Sequence, residues 1–161
     1  MSSRRPIRAL LAASSLFLVG LPLLVLAQSP TSTEPWTVPQ SVQPADLAKE
    51  MAEKSAPTVL FVGFQRLYAA GHIKGAEYHG TGGNAGGLAE IKKWANSLPR
   101  STNLVIYCGC CPMENCPNIR PAFIALREMG FTSLRLLILP DSFAVDWVGK
   151  GLPYDKGASG S

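Results

Sequence analysis

The chain has 161 residues, with sparse charge and scattered aromatics, a globular composition and not a disordered one. Its formal charge of +4 is concentrated at the start: setting Arg4, Arg5 and Arg8 aside from the 15 Lys and Arg leaves 12, against 11 Asp and Glu, from Gln28 onward. That near-balance, with no basic stripe interleaved with aromatics, excludes nucleic acid as a partner.

Residues 1–27 read as an export signal. Ser2–Arg8 is basic, Ala9–Leu26 is apolar, and Val25-Leu26-Ala27 puts small or modest residues at the cleavage-determining positions. Pro22 suits a cleaved signal better than a spanning helix; the alternative is an uncleaved anchor, since the stretch is nearly long enough to span. Ser3-Arg4-Arg5 is a weak match to a twin-arginine start. The expected location is therefore periplasmic or secreted, an oxidising setting, with membrane contact only through the N-terminal segment if it is retained.

Residues 28–37, rich in Ser, Thr and Pro, are expected to form a linker leading into a short first strand near Trp36 and Val38. A single domain follows over 38–155, and 156–161 is a tail. Pro44 opens a helix running to Lys54, with Asp46 in the first turn and Leu47, Ala48 and Met51 on one face; Ala56-Pro57 ends it. Thr58–Val62 is a continuous apolar run, as a strand buried on both faces should be. Gln65–Ala70 is a short helical turn, and Gly71–Tyr78 leads back along the sheet. Gly80–Gly87 holds five glycines but no following Lys-Ser/Thr, so it reads as a flexible connection and not a phosphate loop.

Leu88, Ile91, Ala95 and Leu98 repeat at helical spacing up to Pro99, which stops that helix. Asn103–Tyr107 is the second buried strand, a helix spans Pro121 to Met129 and stops at Gly130, and Leu134–Leu139 is the third strand. A last short helix, Asp141–Val148, carries Trp147. Alternating short apolar strands and amphipathic helices give an α/β fold, a mainly parallel sheet with helices on both faces. Sites in such sheets lie outside the carboxyl ends of the strands, where Cys108 stands.

All four cysteines fall in Cys108-Gly109-Cys110-Cys111-Pro-Met-Glu-Asn-Cys116. Cysteines this close cannot staple distant elements, so a chemical role for a sulfur outweighs a local disulfide. A loop between a strand's end and a helix's start offers unpaired N–H groups and the positive end of the helix dipole, which favour a thiolate, a persulfide or a bound oxyanion. Pro117 and Pro121 flank the helix start, and Arg120 is expected to add a cation there.

Gly71-His72-Ile73-Lys74-Gly75-Ala76 resembles the Gly-His-Ile-Pro-Gly-Ala signature of rhodanese-like domains, and Trp147-Val-Gly-Lys-Gly-Leu-Pro153 resembles their usual ending. The similarity spans about Val38 to Pro153. It implies the rhodanese-like fold and a sulfurtransferase in which Cys108 is catalytic: it takes sulfane sulfur from a small donor such as thiosulfate and hands it to a thiol acceptor. It implies a structural His72 and no cofactor. Family members carry Asp-x-Arg after the first buried strand and an acid before the aromatic; here those places hold Phe61, Gly63 and Leu67. Their loop is also shorter; this one has three further cysteines and reaches Arg120 only twelve residues on.

The active-site loop is accordingly expected to be Gly109, Cys110, Cys111, Cys116 and Arg120 around Cys108, with one of the extra thiols as a relay and a partner as reductant. Two alternatives stand beside sulfur transfer. One is a copper or zinc site, or a thiol-redox module, on Cys108, Cys110, Cys111 and Cys116. The other is a catalytically inactive domain that binds a partner.

Overall fold

The computed structural model describes residues 34–157. The export segment, residues 28–33 of the expected linker and 158–161 of the tail lie outside them. No helix among the described residues is long and apolar enough to cross a membrane.

The strands are β1 (Ser41–Val42), β2 (Thr58–Phe61), β3 (His72–Ile73), β4 (Glu77–Tyr78), β5 (Leu104–Tyr107), β6 (Leu134–Leu137) and β7 (Tyr154–Asp155). The helices are α1 (Pro44–Met51), α2 (Gln65–Ala70), α3 (Ala85–Ala95), α4 (Ile119–Glu128) and α5 (Phe143–Asp146). Five strands form one parallel sheet in the order β1-β6-β5-β2-β4, and β3 pairs antiparallel with β7. At the centre Thr58 pairs with Leu104 and Phe61 with Tyr107, while Leu104 also pairs with Leu134.

Because side chains alternate across a strand, each central strand feeds two cores. Leu60, Val62, Leu104 and Ile106 face Ile91 and Ala95 of α3 and Phe123 and Leu126 of α4. Val59, Phe61, Val105 and Tyr107 face Leu47, Tyr68 and Trp147 on the opposite side. Burial of every β5 residue is why the strands read as continuous apolar runs.

Element boundaries shift where local caps decide. α3 starts at Ala85, before the periodic apolar residues, because the Asn84 side chain accepts the Gly87 N–H at 2.8 Å. α4 starts at Ile119, leaving Pro121 inside its first turn. Its end at Gly130, with φ +89°, is the expected glycine stop. α1 ends at Met51 instead of Lys54, and α5 covers only Phe143–Asp146, with a 3₁₀ turn at Val148–Lys150 after it.

Two expectations need larger correction. Trp36, placed in the linker, is buried and meets Phe123 edge-on at 5.5 Å between ring centres, so the packed body begins ahead of Val38. The glycine run is no flexible connection. Thr81 within it is buried, with its hydroxyl donating to the Gly63 carbonyl at 3.1 Å, and Gly82 N–H donates to Val62 O at 2.8 Å. A methyl on Gly82 or Gly87 would overlap backbone atoms of Asn118 or Thr81.

Candidate functional site

Tyr107, the last residue of β5, and Cys108 just after it point into opposite layers. Tyr107 is buried on one side, its hydroxyl accepting the Ile73 N–H at 2.9 Å, and burial pushes its phenol pKa upward. Cys108 goes to the other side. Gly109 then takes φ +68°, where a Cβ would sit 2.7 Å from Phe143 Cβ, so only glycine fits this turn. Its carbonyl accepts the Phe143 N–H at 3.0 Å, and Met113 N–H donates to Pro140 O at 3.2 Å, tying the cysteine loop to the segment after β6. A 3₁₀ turn, Met113–Asn115, then delivers Cys116 to the start of α4.

All four cysteines are free thiols, Cys108 and Cys116 buried and Cys110 and Cys111 half-buried. The sulfur of Cys110 lies 3.1 Å from that of Cys108, 3.3 Å from Cys111 and 4.0 Å from Cys116. The sulfurs of Cys108, Cys110 and Cys116 all lie within 4.8 Å of one another. So three of the four expected thiols form one cluster, and Cys111 stands beside it.

The backbone cradle exists, but it holds a different sulfur from the one expected. The N–H groups of Asn118 and Ile119, at the start of α4, donate to Cys116 and not to Cys108. The Cys116 thiol is lowered to about 5, first by the hydrogen bond from Cys108 and then by those amides, against the opposing effect of burial. The neighbouring Cys116 sulfur, with burial, pushes Cys108 upward. Burial and its cysteine neighbours raise Cys111 to about 12. The physical reason is loop length: the extra residues after Cys108 carry the chain round until Cys116 is the cysteine facing the helix N-terminus.

Cys108 is instead served by a side chain. Asn118, only 1 % exposed, donates its Nδ2 to Cys108 at 3.4 Å and to Cys110 at 3.7 Å. The glycine run seats it: a Cβ on Gly83 would lie 2.5 Å from the Asn118 Oδ1. Sequence reasoning missed both. The available signal was Asn118 itself, a polar residue at a helix start two positions after a cysteine.

Arg120 is also placed differently. Its guanidinium grips Glu34, Nε at 2.8 Å and Nη2 at 2.5 Å, and Nη1 reaches the carbonyls of Met113 and Cys116 at 3.3 and 3.5 Å. It therefore clamps the outside of the loop to the N-terminal segment and presents no nitrogen to the Cys108 sulfur among its hydrogen bonds. His72 is structural: it stacks on Tyr68 at 3.8 Å and its Nδ1 meets the Tyr68 carbonyl at 2.8 Å. The Trp147 ending works likewise, its indole N–H donating to Pro153 O at 2.8 Å.

An open cleft of about 350 Å³ adjoins the loop, and Cys108 and Cys110 form part of its wall. The rest is mainly apolar: Phe61, Leu67, Phe143 and Tyr154, with Lys156 among the lining residues. Phe61 and Leu67 thus occupy, as hydrocarbon wall, two of the places where charged side chains were looked for. The arrangement admits a reactant to Cys108 and Cys110, with two more thiols directly behind.

No protein-family model matches the chain, and no curated protein does. Solved structures do match it. The rhodanese-like domain of the Anabaena protein Alr3790 is 22 % identical, with a TM-score of 0.54 over 73 % of this chain and 79 % of that one. BH2092 from Bacillus halodurans is 18 % identical, with a TM-score of 0.56 over 72 % of this chain and 76 % of that one. EanB, captured as a cysteine persulfide with ergothioneine, is 17 % identical, with a TM-score of 0.55 over 72 % of this chain and 28 % of that longer one. The mainly parallel sheet, covered by helices on both faces and ending in a cysteine loop, is the rhodanese-like fold in a divergent form.

Proposed function

We propose that this chain is an exported sulfur-transfer domain, which carries sulfane sulfur as a persulfide on Cys108 and passes it to a thiol acceptor. The observation that carries the reading is the position of Cys108: at the carboxyl end of the central strand, on the wall of the apolar cleft, with Cys110 at 3.1 Å. In the first step the Cys108 sulfur attacks the sulfane sulfur of a donor such as thiosulfate. The donor's S–S bond breaks, sulfite leaves with the bonding pair, and the Cys108 proton passes to the Cys116 sulfur, within 4.8 Å of it. In the second step an acceptor thiolate attacks the outer sulfur, and Cys108 leaves as a thiolate. Cys110 is within reach to take that outer sulfur first, which makes it the relay.

Support comes from the Asn118 amide, which donates toward the sulfur that bears the intermediate, and from the fold shared with EanB, a protein captured as a persulfide. The test is anaerobic incubation of the reduced protein with thiosulfate, followed by intact mass. A gain of one sulfur atom is expected, retained in Cys111→Ser and lost in Cys108→Ser. Loading that persists without the Cys108 sulfur, or never occurs with thiosulfate or a small persulfide, would remove this function.

A further inference from the structure

We infer that the cysteine loop is also a binding site for a single copper(I) ion, held by the sulfurs of Cys108, Cys110 and Cys116. Two observations carry this independently of sulfur transfer. The first is the spacing of the sulfurs. Three thiolates at metal–sulfur distances of about 2.3 Å around one ion lie about 4 Å apart. Cys110 and Cys116 are already 4.0 Å apart, and all three sulfurs fall within 4.8 Å of one another. Cys108 and Cys110, at 3.1 Å, need to open by less than the width of an atom, and Cys110 is on the half-buried, adjustable part of the loop.

The second is the apolar surround on one side of the cluster: a small hollow of about 10 Å³ is walled by Cys108 and Cys116 together with Met113, Ile119, Leu137 and Leu139. It is at the lower limit for one water molecule, so that side of the cluster leaves little room for a water ligand. The ligand set selects the metal. It is three cysteine sulfurs with no imidazole or carboxylate, which is the soft environment that favours copper(I). Zinc with three protein ligands keeps a fourth position for water, which this apolar lining disfavours. The excess negative charge of three thiolates on a monovalent ion faces the Asn118 and Ile119 amides and the Asn118 side chain.

Binding exchanges thiol protons for the ion, with no change of oxidation state, and it occupies the Cys108 sulfur. Copper and a persulfide therefore exclude each other. The experiment is an anaerobic titration of the reduced protein with copper(I) against a coloured chelator, with native mass spectrometry and copper-edge X-ray absorption on the loaded protein. One ion per chain and a shell of three sulfurs are expected. Cys108→Ser, Cys110→Ser and Cys116→Ser should each weaken binding by about tenfold or more, and Cys111→Ser by less than about threefold. No uptake against the chelator, a nitrogen- or oxygen-containing shell, a two- or four-sulfur shell, or equal damage from Cys111→Ser would overturn the assignment. The absorption measurement decides even if a serine variant fails to fold.

Discussion

Replacing Asn118 by Ala separates the chemistry of the loop from its mere proximity to the cleft. The Asn118 amide is the side-chain donor on the Cys108 sulfur, at 3.4 Å, and it also reaches Cys110 at 3.7 Å. A hydrogen bond to a neutral group contributes about 1 kcal/mol net, and one to a charged group about 1.5–3 kcal/mol. The neutral resting thiol therefore loses little, while an anionic sulfur on Cys108 loses the larger amount. The difference is about 0.5–2 kcal/mol, so at 1.4 kcal/mol per tenfold persulfide formation should slow by about 2- to 30-fold. Folding loses about 1–2 kcal/mol with the buried amide, a fall of about 4–8 °C in Tm for a domain of this size. The assay is the rate of sulfur loading from thiosulfate at a temperature where circular dichroism shows both proteins fully folded. A folded Asn118→Ala protein that loads within about twofold of the parent would refute the assignment of Asn118 as the group that stabilises charge at Cys108.

Trp36→Ala should cost about 3 kcal/mol, the lower end for a buried aromatic, since Trp36 is buried against Phe123 and under Arg120. A loss below about 1 kcal/mol in chemical denaturation would show that the segment before Val38 is not part of the packed body. Gly82→Ala places a methyl against the Asn118 carbonyl and 2.9 Å from Ala122 Cβ, an overpacking worth about 1–3 kcal/mol that should also slow sulfur loading. Gly75→Ala, in open space at φ +75°, is the control for backbone cost alone and should leave loading unchanged; equal effects of the two on loading would count against the glycine run as the seat of Asn118. Glu50 is held below its usual pKa by its hydrogen bonds from Arg135. That contribution is fully present above the ordinary glutamate value of about 4.3 and is lost as pH falls through the lower folded value. Being partly exposed it is worth less than about 1 kcal/mol, and Glu50→Gln should flatten that part of the stability–pH curve measured by denaturant midpoints.

The sheet was legible because its strands are buried on both faces and carry no polar alternation: Thr58–Phe61 and Leu104–Tyr107 stand where their apolar runs lie. Helix starts were less legible: Asn84 caps α3 ahead of its apolar periodicity, and α4 begins at Ile119 with no side-chain cap to mark it. Cys108 could be placed at a strand's end from sequence, but which sulfur meets the helix amides depends on how many residues the loop spends in its 3₁₀ turn, and no local pattern gives that. Arg120 was misdirected because its partner, Glu34, is 86 positions away in a stretch with no apolar periodicity. The glycine run was misjudged for a related reason. Its glycines are required by close backbone approach to Thr81 and Asn118, a demand made by tertiary packing and invisible in composition.

The parallel register has a bearing on how such a domain changes over time. β2, β5 and β6 are matched from their first residues, Thr58 beside Leu104 beside Leu134, so the scaffold is aligned at the end remote from the sulfurs. Segments emerging at the opposite rim can lengthen or exchange side chains without altering which strands lie together. The cysteine segment, and the hydrocarbon wall that Phe61 and Leu67 give the cleft, are features of that rim and not of the aligned frame.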